Sequence, residues 1–164
     1  MLRVLDGYKG TLIVRCSLRF APLVLVRTGE LRQAQWSDID LKVAEWRYNV
    51  RMTEIRHIVP LSRQAVEILR DLHPLTGQGR YVFPSARTLR RDRPVSDNAV
   101  LVALRRMRIG EEEMTGHGFR AMGRTILDEV LGFRPDFIEH QLAHTVRDPN
   151  GRAYNRTAYL PDSR

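Results

Sequence analysis

The hydrophobic residues in the first part of the chain are spaced as in an α-helix. Residues 11–26 carry enough apolar residues for a buried helix, which Pro22 is expected to kink or break. A short helix is predicted before it at residues 2–8, and another is predicted to start beside Gly29. The first 35 residues are therefore predicted to be helical.

The period then changes to that of β-strands. The pattern after Trp36 predicts a turn, a strand near residues 44–51, a bend and a second strand near residues 56–61. Two such strands joined by a short bend are typical of an antiparallel pair. A small antiparallel sheet is thus predicted within a helical chain.

Helical spacing returns after the strands. One helix is predicted to start with Ser62 as its N-cap and to end at Pro74 and Gly77, and an amphipathic helix is predicted between a Ser96 cap and Gly110. Three further helices are predicted, at residues 117–131, at 134–145 with Pro135 in the first turn, and at 150–161. The predicted fold class is therefore mainly α with a small antiparallel β-sheet, an α+β arrangement.

The composition is that of a globular domain that does not cross a membrane. Of the 164 residues, 43% are hydrophobic and 28% are charged. No apolar run approaches the length of a membrane span, and no apolar stretch of a signal peptide follows the first residues. Cys16, the single cysteine, is expected to be a small core residue. We expect a cytoplasmic protein without disulfides.

The charge of the chain indicates which kind of partner it binds. The net charge is +8, the isoelectric point is near 10.5, and all basic residues except Lys9 and Lys42 are arginines. Arginine is suited to bidentate contacts with phosphate. A basic surface that binds nucleic acid is favoured over one that is merely solvated.

Several polar residues stand at breaks beside apolar helices. Their side chains are two guanidiniums, two imidazoles and a phenol, which are the groups that metal-free and cofactor-free transesterification at a phosphodiester would need. The five residues are Arg27, His117, Arg120, His144 and Tyr154.

Four of these residues also have a simpler interpretation. His117 and Arg120, three residues apart, could be two adjacent cations at the start of a surface helix. Arg27 could form a surface ion pair with Glu30, and His144 could be a cation at a helix end. The residue types and spacings alone leave these alternatives open.

Five sequence blocks, in order, resemble the catalytic domain of tyrosine recombinases, most closely the phage-type and genomic-island integrases. They are "VRTGELRQAQWSDIDL", "HIVPLSRQAVEIL", "HGFRAMGRTIL", "QLAH" and "AYNRTAYL". The resemblance implies site-specific recombination of duplex DNA, by integration or excision. Type IB topoisomerases share this chemistry, but the spacing of the last two blocks fits integrases better.

The resemblance also implies a role for each residue. Arg27 and Arg120 match the two arginines that stabilise the phosphate, with Glu30 orienting the first. His117 matches the general acid/base, and His144 matches the histidine that hydrogen-bonds the scissile phosphate. Tyr154 matches the nucleophile that forms a 3′-phosphotyrosine, with Tyr159 as its rival in sequence. The family uses neither a metal nor a cofactor.

The chain departs from the family's pattern in the turn between the two predicted strands. A lysine there protonates the leaving 5′-oxygen in the family, whereas Thr53 stands at about that position here. Lys42 belongs to the preceding turn, and Arg51 or Arg56 would be a poor acid because guanidinium barely deprotonates. Loss of a general acid typically costs about 10²–10⁴ in rate, so impaired activity is expected.

The ends of the chain depart from the pattern too. Only 26 residues precede Arg27 and ten follow Tyr154. We therefore expect residues 1–164 to form a single catalytic domain that lacks the family's N-terminal DNA-binding region and its C-terminal docking element. Duplex DNA is the expected partner, with other integrase protomers in a recombination synapse. The alternative function is that of a catalytically inactive DNA-binding remnant of a prophage or genomic-island integrase.

Overall fold

The described part of the chain combines helices with a small three-stranded sheet. The computed structural model describes residues 5, 7–50, 55–86, 92–115 and 117–142, with only the backbone of His140. The helices in this part of the chain are α1 (Leu12–Val24), α2 (Thr28–Arg32), α3 (Arg63–Thr76), α4 (Ala99–Arg106), α5 (Gly118–Thr125) and α6 (Pro135–Gln141). A 3₁₀ turn spans Trp36–Asp38, and a π-helical segment, Ile126–Val130, continues α5. The predicted fold class is confirmed.

The sheet has three antiparallel strands in the order β1 (Ile39–Asp40), β2 (Glu45–Asn49) and β3 (Arg56–Pro60). Trp46 of β2 pairs with Ile39 on one side and with Val59 on the other. The two predicted strands are confirmed. The sequence pattern missed β1, because two residues are too few to show a period.

Helix α1 lies at the centre of the helical part and packs against α3, α4 and α5. The Thr11 hydroxyl accepts a hydrogen bond from the Val14 N–H and caps the helix. Pro22 lies within α1 and does not break it. The helix ends instead at Leu25, which adopts a left-handed conformation with φ of 53°.

Helix α3 begins as predicted, because the Ser62 hydroxyl accepts a hydrogen bond from the Ala65 N–H. It continues past Pro74 to Thr76 and is capped by Gly77, so the prediction that Pro74 ends it is wrong. Burial of Leu69 and Leu72 against the core outweighs the hydrogen bond that proline cannot donate.

The later helices differ from the prediction in their boundaries. Asn98 is the N-cap of α4, so the prediction of a Ser96 cap is wrong; the Ser96 carbonyl accepts a hydrogen bond from the Ala99 N–H instead. Helix α6 begins with Pro135, as expected. The helix predicted at residues 150–161 lies outside the described residues.

The core forms between α1, α3, α4 and the sheet. Its largest fully buried side chains include Trp46, Phe20 and Phe83, with Phe20 contacting both other rings. Cys16 is 5% exposed, which confirms that it is a core residue. None of the helices in the described ranges is long and apolar enough to cross a membrane.

Candidate active site

Arg27 stands at the junction between α1 and α2. It is the N-cap of α2, and Glu30 is the third residue of that helix. The Glu30 carboxylate accepts a hydrogen bond from the Arg27 backbone N–H and another from its Nη1, both at 3.2 Å. Two bonds from the same residue hold the guanidinium against the helix start, because backbone and side chain are fixed together.

Strand β2 provides a third hydrogen bond to the same carboxylate. The Tyr48 hydroxyl donates to Glu30 Oε2 at 3.0 Å. Burial raises the pKa of the Tyr48 phenol above its usual range, and the adjacent Glu30 charge raises it further. Tyr48 therefore stays protonated and remains a hydrogen-bond donor at neutral pH.

Arg120 lies in the first turn of α5 and is 7% exposed. Its Nη1 donates to the Leu25 carbonyl at 2.7 Å, and its Nη2 donates to the Leu142 carbonyl at 2.6 Å. These bonds connect α5 to the end of α1 and to the end of α6. The guanidinium is consequently fixed in place by three separate segments of the fold.

The charge of Arg27 acts on the guanidinium of Arg120. Burial lowers the pKa of Arg120, and the positive charge of Arg27 lowers it further, whereas Glu30 opposes the shift. Two arginines and one carboxylate leave this cluster with a net positive charge. An oxyanion bound beside the arginines would be stabilised, because it relieves the repulsion between them.

A cleft of about 580 Å³ opens over this cluster. It lies between the first turn of α2, strand β2 and the start of α5. Its lining residues are Arg27, Thr28, Gly29, Glu30, Gln33, Ala34, Gln35, Asp38, Trp46, Arg47, Tyr48, Asn49 and His117. Arg120 is not among them and lies behind Arg27, Glu30 and Tyr48.

The structure brings Arg27, Glu30, Arg120 and His117 together, as their predicted roles require. His117 is exposed at the N-cap of α5, and its carbonyl accepts the Arg120 N–H at 3.0 Å. The alternative of two adjacent surface cations is wrong, because Arg120 is buried. Arg27 and Glu30 do form an ion pair, with 3.2 Å between Nη1 and Oε1, but it is not a plain surface pair, because the Glu30 side chain is 10% exposed and also binds Tyr48.

The other predicted site residues lie outside the described residues, namely Thr53, His144, Tyr154 and the rival Tyr159. Of the basic residues considered as substitutes for the lysine, Lys42 lies in the exposed turn between β1 and β2, and Arg56 is exposed on β3. Neither lines the cleft.

The sequence pattern missed Tyr48. Trp46 and Tyr48 alternate with Glu45 and Arg47 along β2, so the pattern indicates that both rings share one face of the sheet. Their ring centroids lie 4.7 Å apart. The pattern does not show that this face meets the start of α2.

The described residues contain no group of three His, Cys, Asp or Glu side chains that could hold a metal ion.

The comparison with known families decides the classification. The profile of the Phage integrase family matches residues 4–159, nearly the whole sequence. The chain belongs to the phage integrase family. The predicted resemblance to phage-type integrases among the tyrosine recombinases is thereby confirmed.

The sequence similarity within the family is substantial. The prophage integrase IntZ of Escherichia coli (strain K12) is 39% identical over 158 residues, which cover 94% of this chain and 38% of that protein. The integrase of Enterobacteria phage P4 is 34% identical over 175 residues, covering 98% of this chain and 39% of that protein. The chain thus spans less than half the length of these relatives.

A solved structure shows the same fold at low sequence identity. The catalytic core of lambda integrase superposes with a TM-score of 0.67 at 21% identity, covering 92% of this chain and 91% of that one. This member of the phage integrase family therefore has the fold of an integrase catalytic core.

Proposed function

We propose that residues 1–164 form a single catalytic domain that cuts and rejoins duplex DNA in site-specific recombination. The observation that supports this most strongly is the site itself. Arg27 and His117 line one cleft, the buried Arg120 is close enough to Arg27 for their charges to interact, and the excess positive charge suits a phosphodiester. A net charge of +8 fits a DNA partner. We also propose that the domain acts on DNA in the cytoplasm. Other integrase protomers would take part in the same recombination complex.

The proposed reaction is a transesterification without metal or cofactor. The Tyr154 oxygen attacks the scissile phosphorus, and the bond from phosphorus to the 5′-oxygen breaks. A 3′-phosphotyrosine forms, and a proton passes to the leaving 5′-oxygen. The reverse attack by a 5′-hydroxyl rejoins the strand and releases the tyrosine.

Each site residue has one part in this reaction. Arg27 and Arg120 stabilise the charge on the non-bridging oxygens, and Glu30 orients Arg27. His117 transfers protons, and His144 hydrogen-bonds the phosphate. Thr53 occupies the position of the family's lysine, so protonation of the leaving oxygen is the weak step.

The test uses a duplex whose scissile 5′-oxygen is replaced by sulfur. The thiolate leaves without protonation, so Tyr154 is expected to form a covalent adduct on this substrate. On the ordinary oxygen substrate the adduct is expected to be barely detectable. Thr53→Lys should recover part of the oxygen reaction, because it supplies the absent proton donor. Tyr154→Phe should abolish both reactions, because it removes the nucleophile.

Three results would contradict parts of this proposal. An adduct at Tyr159 would show that the nucleophile is wrongly assigned. Wild-type reaction on the oxygen substrate at the rate of the thiolate substrate would show that no acid is missing. No adduct on the thiolate substrate would favour the inactive DNA-binding remnant.

A further inference from the structure

Leu25 is linked to both arginines of the site, because it bonds to Arg120 and precedes Arg27 by two residues. It ends α1 in a left-handed conformation with φ of 53°. Its carbonyl accepts the hydrogen bond from Arg120 Nη1 at 2.7 Å. Arg27 follows two residues later as the N-cap of α2. The position of the Leu25 backbone therefore affects where both guanidiniums lie.

The Leu25 side chain is held by a second contact with α5. A Cβ added at Gly123 would lie 2.5 and 2.6 Å from the two Leu25 methyl carbons and 3.1 Å from its Cγ. Gly123 is three residues after Arg120, so both lie on one face of α5. Arg120 thus holds the backbone of Leu25, while the bare backbone at Gly123 accommodates its side chain.

These two contacts offset a conformational cost. A left-handed backbone is unfavourable for a residue other than glycine, and it persists where the surroundings impose it. Leu25 is half-buried, and its side chain lies beside Gly123 of α5. The hydrogen bond from Arg120 and the packing on Gly123 hold this conformation, which sets the chain direction between the end of α1 and Arg27.

We propose that Leu25 is a positioning residue whose packing on Gly123 sets the spacing between the guanidiniums of Arg27 and Arg120. A bulkier residue at position 123 would push Leu25 away from α5, and Arg27 would move with it. The inference rests on the proposed function for its effect on the reaction. The spacing itself can be measured through anion binding, without any reaction.

The experiment compares the full chain with Gly123→Ala, Leu25→Ala and the double variant that carries both changes. Binding of inorganic tungstate, a tetrahedral dianion, is measured by calorimetry. Arg27→Ala and Arg120→Ala establish that the anion binds at both arginines. Formation of the Tyr154 adduct on the thiolate substrate is measured in parallel. Gly79→Ala is the matched control, because its Cβ would make only an ordinary contact of 3.4 Å, with the Thr76 carbonyl oxygen.

Gly123→Ala is expected to weaken tungstate binding about tenfold or more, the scale for disturbing one hydrogen bond to a charged group. The adduct rate should fall with it. This loss runs against helix propensity, since alanine stabilises a helix relative to glycine. The double variant should recover part of the tungstate affinity and part of the adduct rate, because removing the Leu25 isobutyl group makes room for the new methyl. Gly79→Ala should bind tungstate as the wild type does.

Circular dichroism and urea unfolding establish that each variant is folded. A folded Gly123→Ala variant with wild-type tungstate affinity would overturn the inference, because Leu25 would then move without affecting the arginines. A double variant no better than a folded Gly123→Ala variant would also overturn it. If Gly123→Ala does not fold, Leu25→Ala decides instead: weaker binding supports the inference, and unchanged binding overturns it.

The inference and the proposed function fail in different ways. Wild-type protein that binds tungstate through both arginines but forms no adduct would refute the proposed reaction, and the effect of Gly123→Ala on affinity would still decide the inference. Absence of tungstate binding in the wild type would overturn the inference, since the two arginines would then form no common site.

Discussion

The hydrogen bond from Tyr48 to Glu30 allows a sharp test of how the site is held together. In Tyr48→Phe the ring remains, but Glu30 Oε2 loses the phenol that donates to it at 3.0 Å. Two N–H donors from Arg27 remain on the carboxylate. A hydrogen bond to a charged group contributes about 1.5–3 kcal/mol. Because 1.36 kcal/mol corresponds to a factor of ten in rate, this range corresponds to a loss of about 10- to 100-fold in adduct formation, and the lower end is expected because the two Arg27 donors remain.

The assay is single-turnover adduct formation on the thiolate substrate at several DNA concentrations. The rate at saturating DNA should fall, while the concentration for half-saturation should change little, because Tyr48 holds Arg27 through Glu30 and its phenol is engaged with that carboxylate. Tyr81→Phe is the matched control, since Tyr81 pairs with Gln35 and lies beside Arg80, outside the cleft lining. An unchanged rate in Tyr48→Phe, or an equal fall in Tyr81→Phe, would refute this reasoning.

Three further predictions concern charge, salt and pH. Arg27→Ala and Arg120→Ala should each lower the adduct rate about 10²–10³-fold, the scale for one oxyanion donor. Arg63→Ala is their control, since its side chain is 88% exposed. An equal loss in Arg63→Ala would indicate general electrostatic binding. Duplex DNA binding, measured by titration at several salt concentrations, should weaken by about 0.9 log units per phosphate contact per log unit of salt, with little sequence preference; a flat salt response would count against DNA. The raised pKa of Tyr48 should add stability that is fully present below about pH 10, the usual pKa of tyrosine, and is lost as the pH rises further. Urea unfolding should therefore show a steeper alkaline loss in the wild type than in Tyr48→Phe, and equal slopes would contradict the shift.

Local sequence patterns were sufficient to predict the fold class and most of the elements. Helical periodicity over residues 11–26 and 62–77 and strand periodicity near 44–51 and 56–61 correspond to α1, α3, β2 and β3. These elements follow from local patterns because each buries one continuous apolar face. The order of short motifs around Arg27 and Arg120 was enough to indicate the family.

The contacts that hold the site could not be predicted from local patterns, because they join residues far apart in the chain. Arg27 and Arg120 are 93 positions apart, and no periodicity shows that one buried guanidinium binds the Leu25 and Leu142 carbonyls. The same holds for the Tyr48 phenol, which reaches Glu30 from the sheet. Such contacts depend on how α1, α5 and the sheet pack together, and packing is a property of the whole chain. The sequence names the groups that can do the chemistry, whereas tertiary packing fixes their spacing, their burial and hence the charge that an oxyanion would meet.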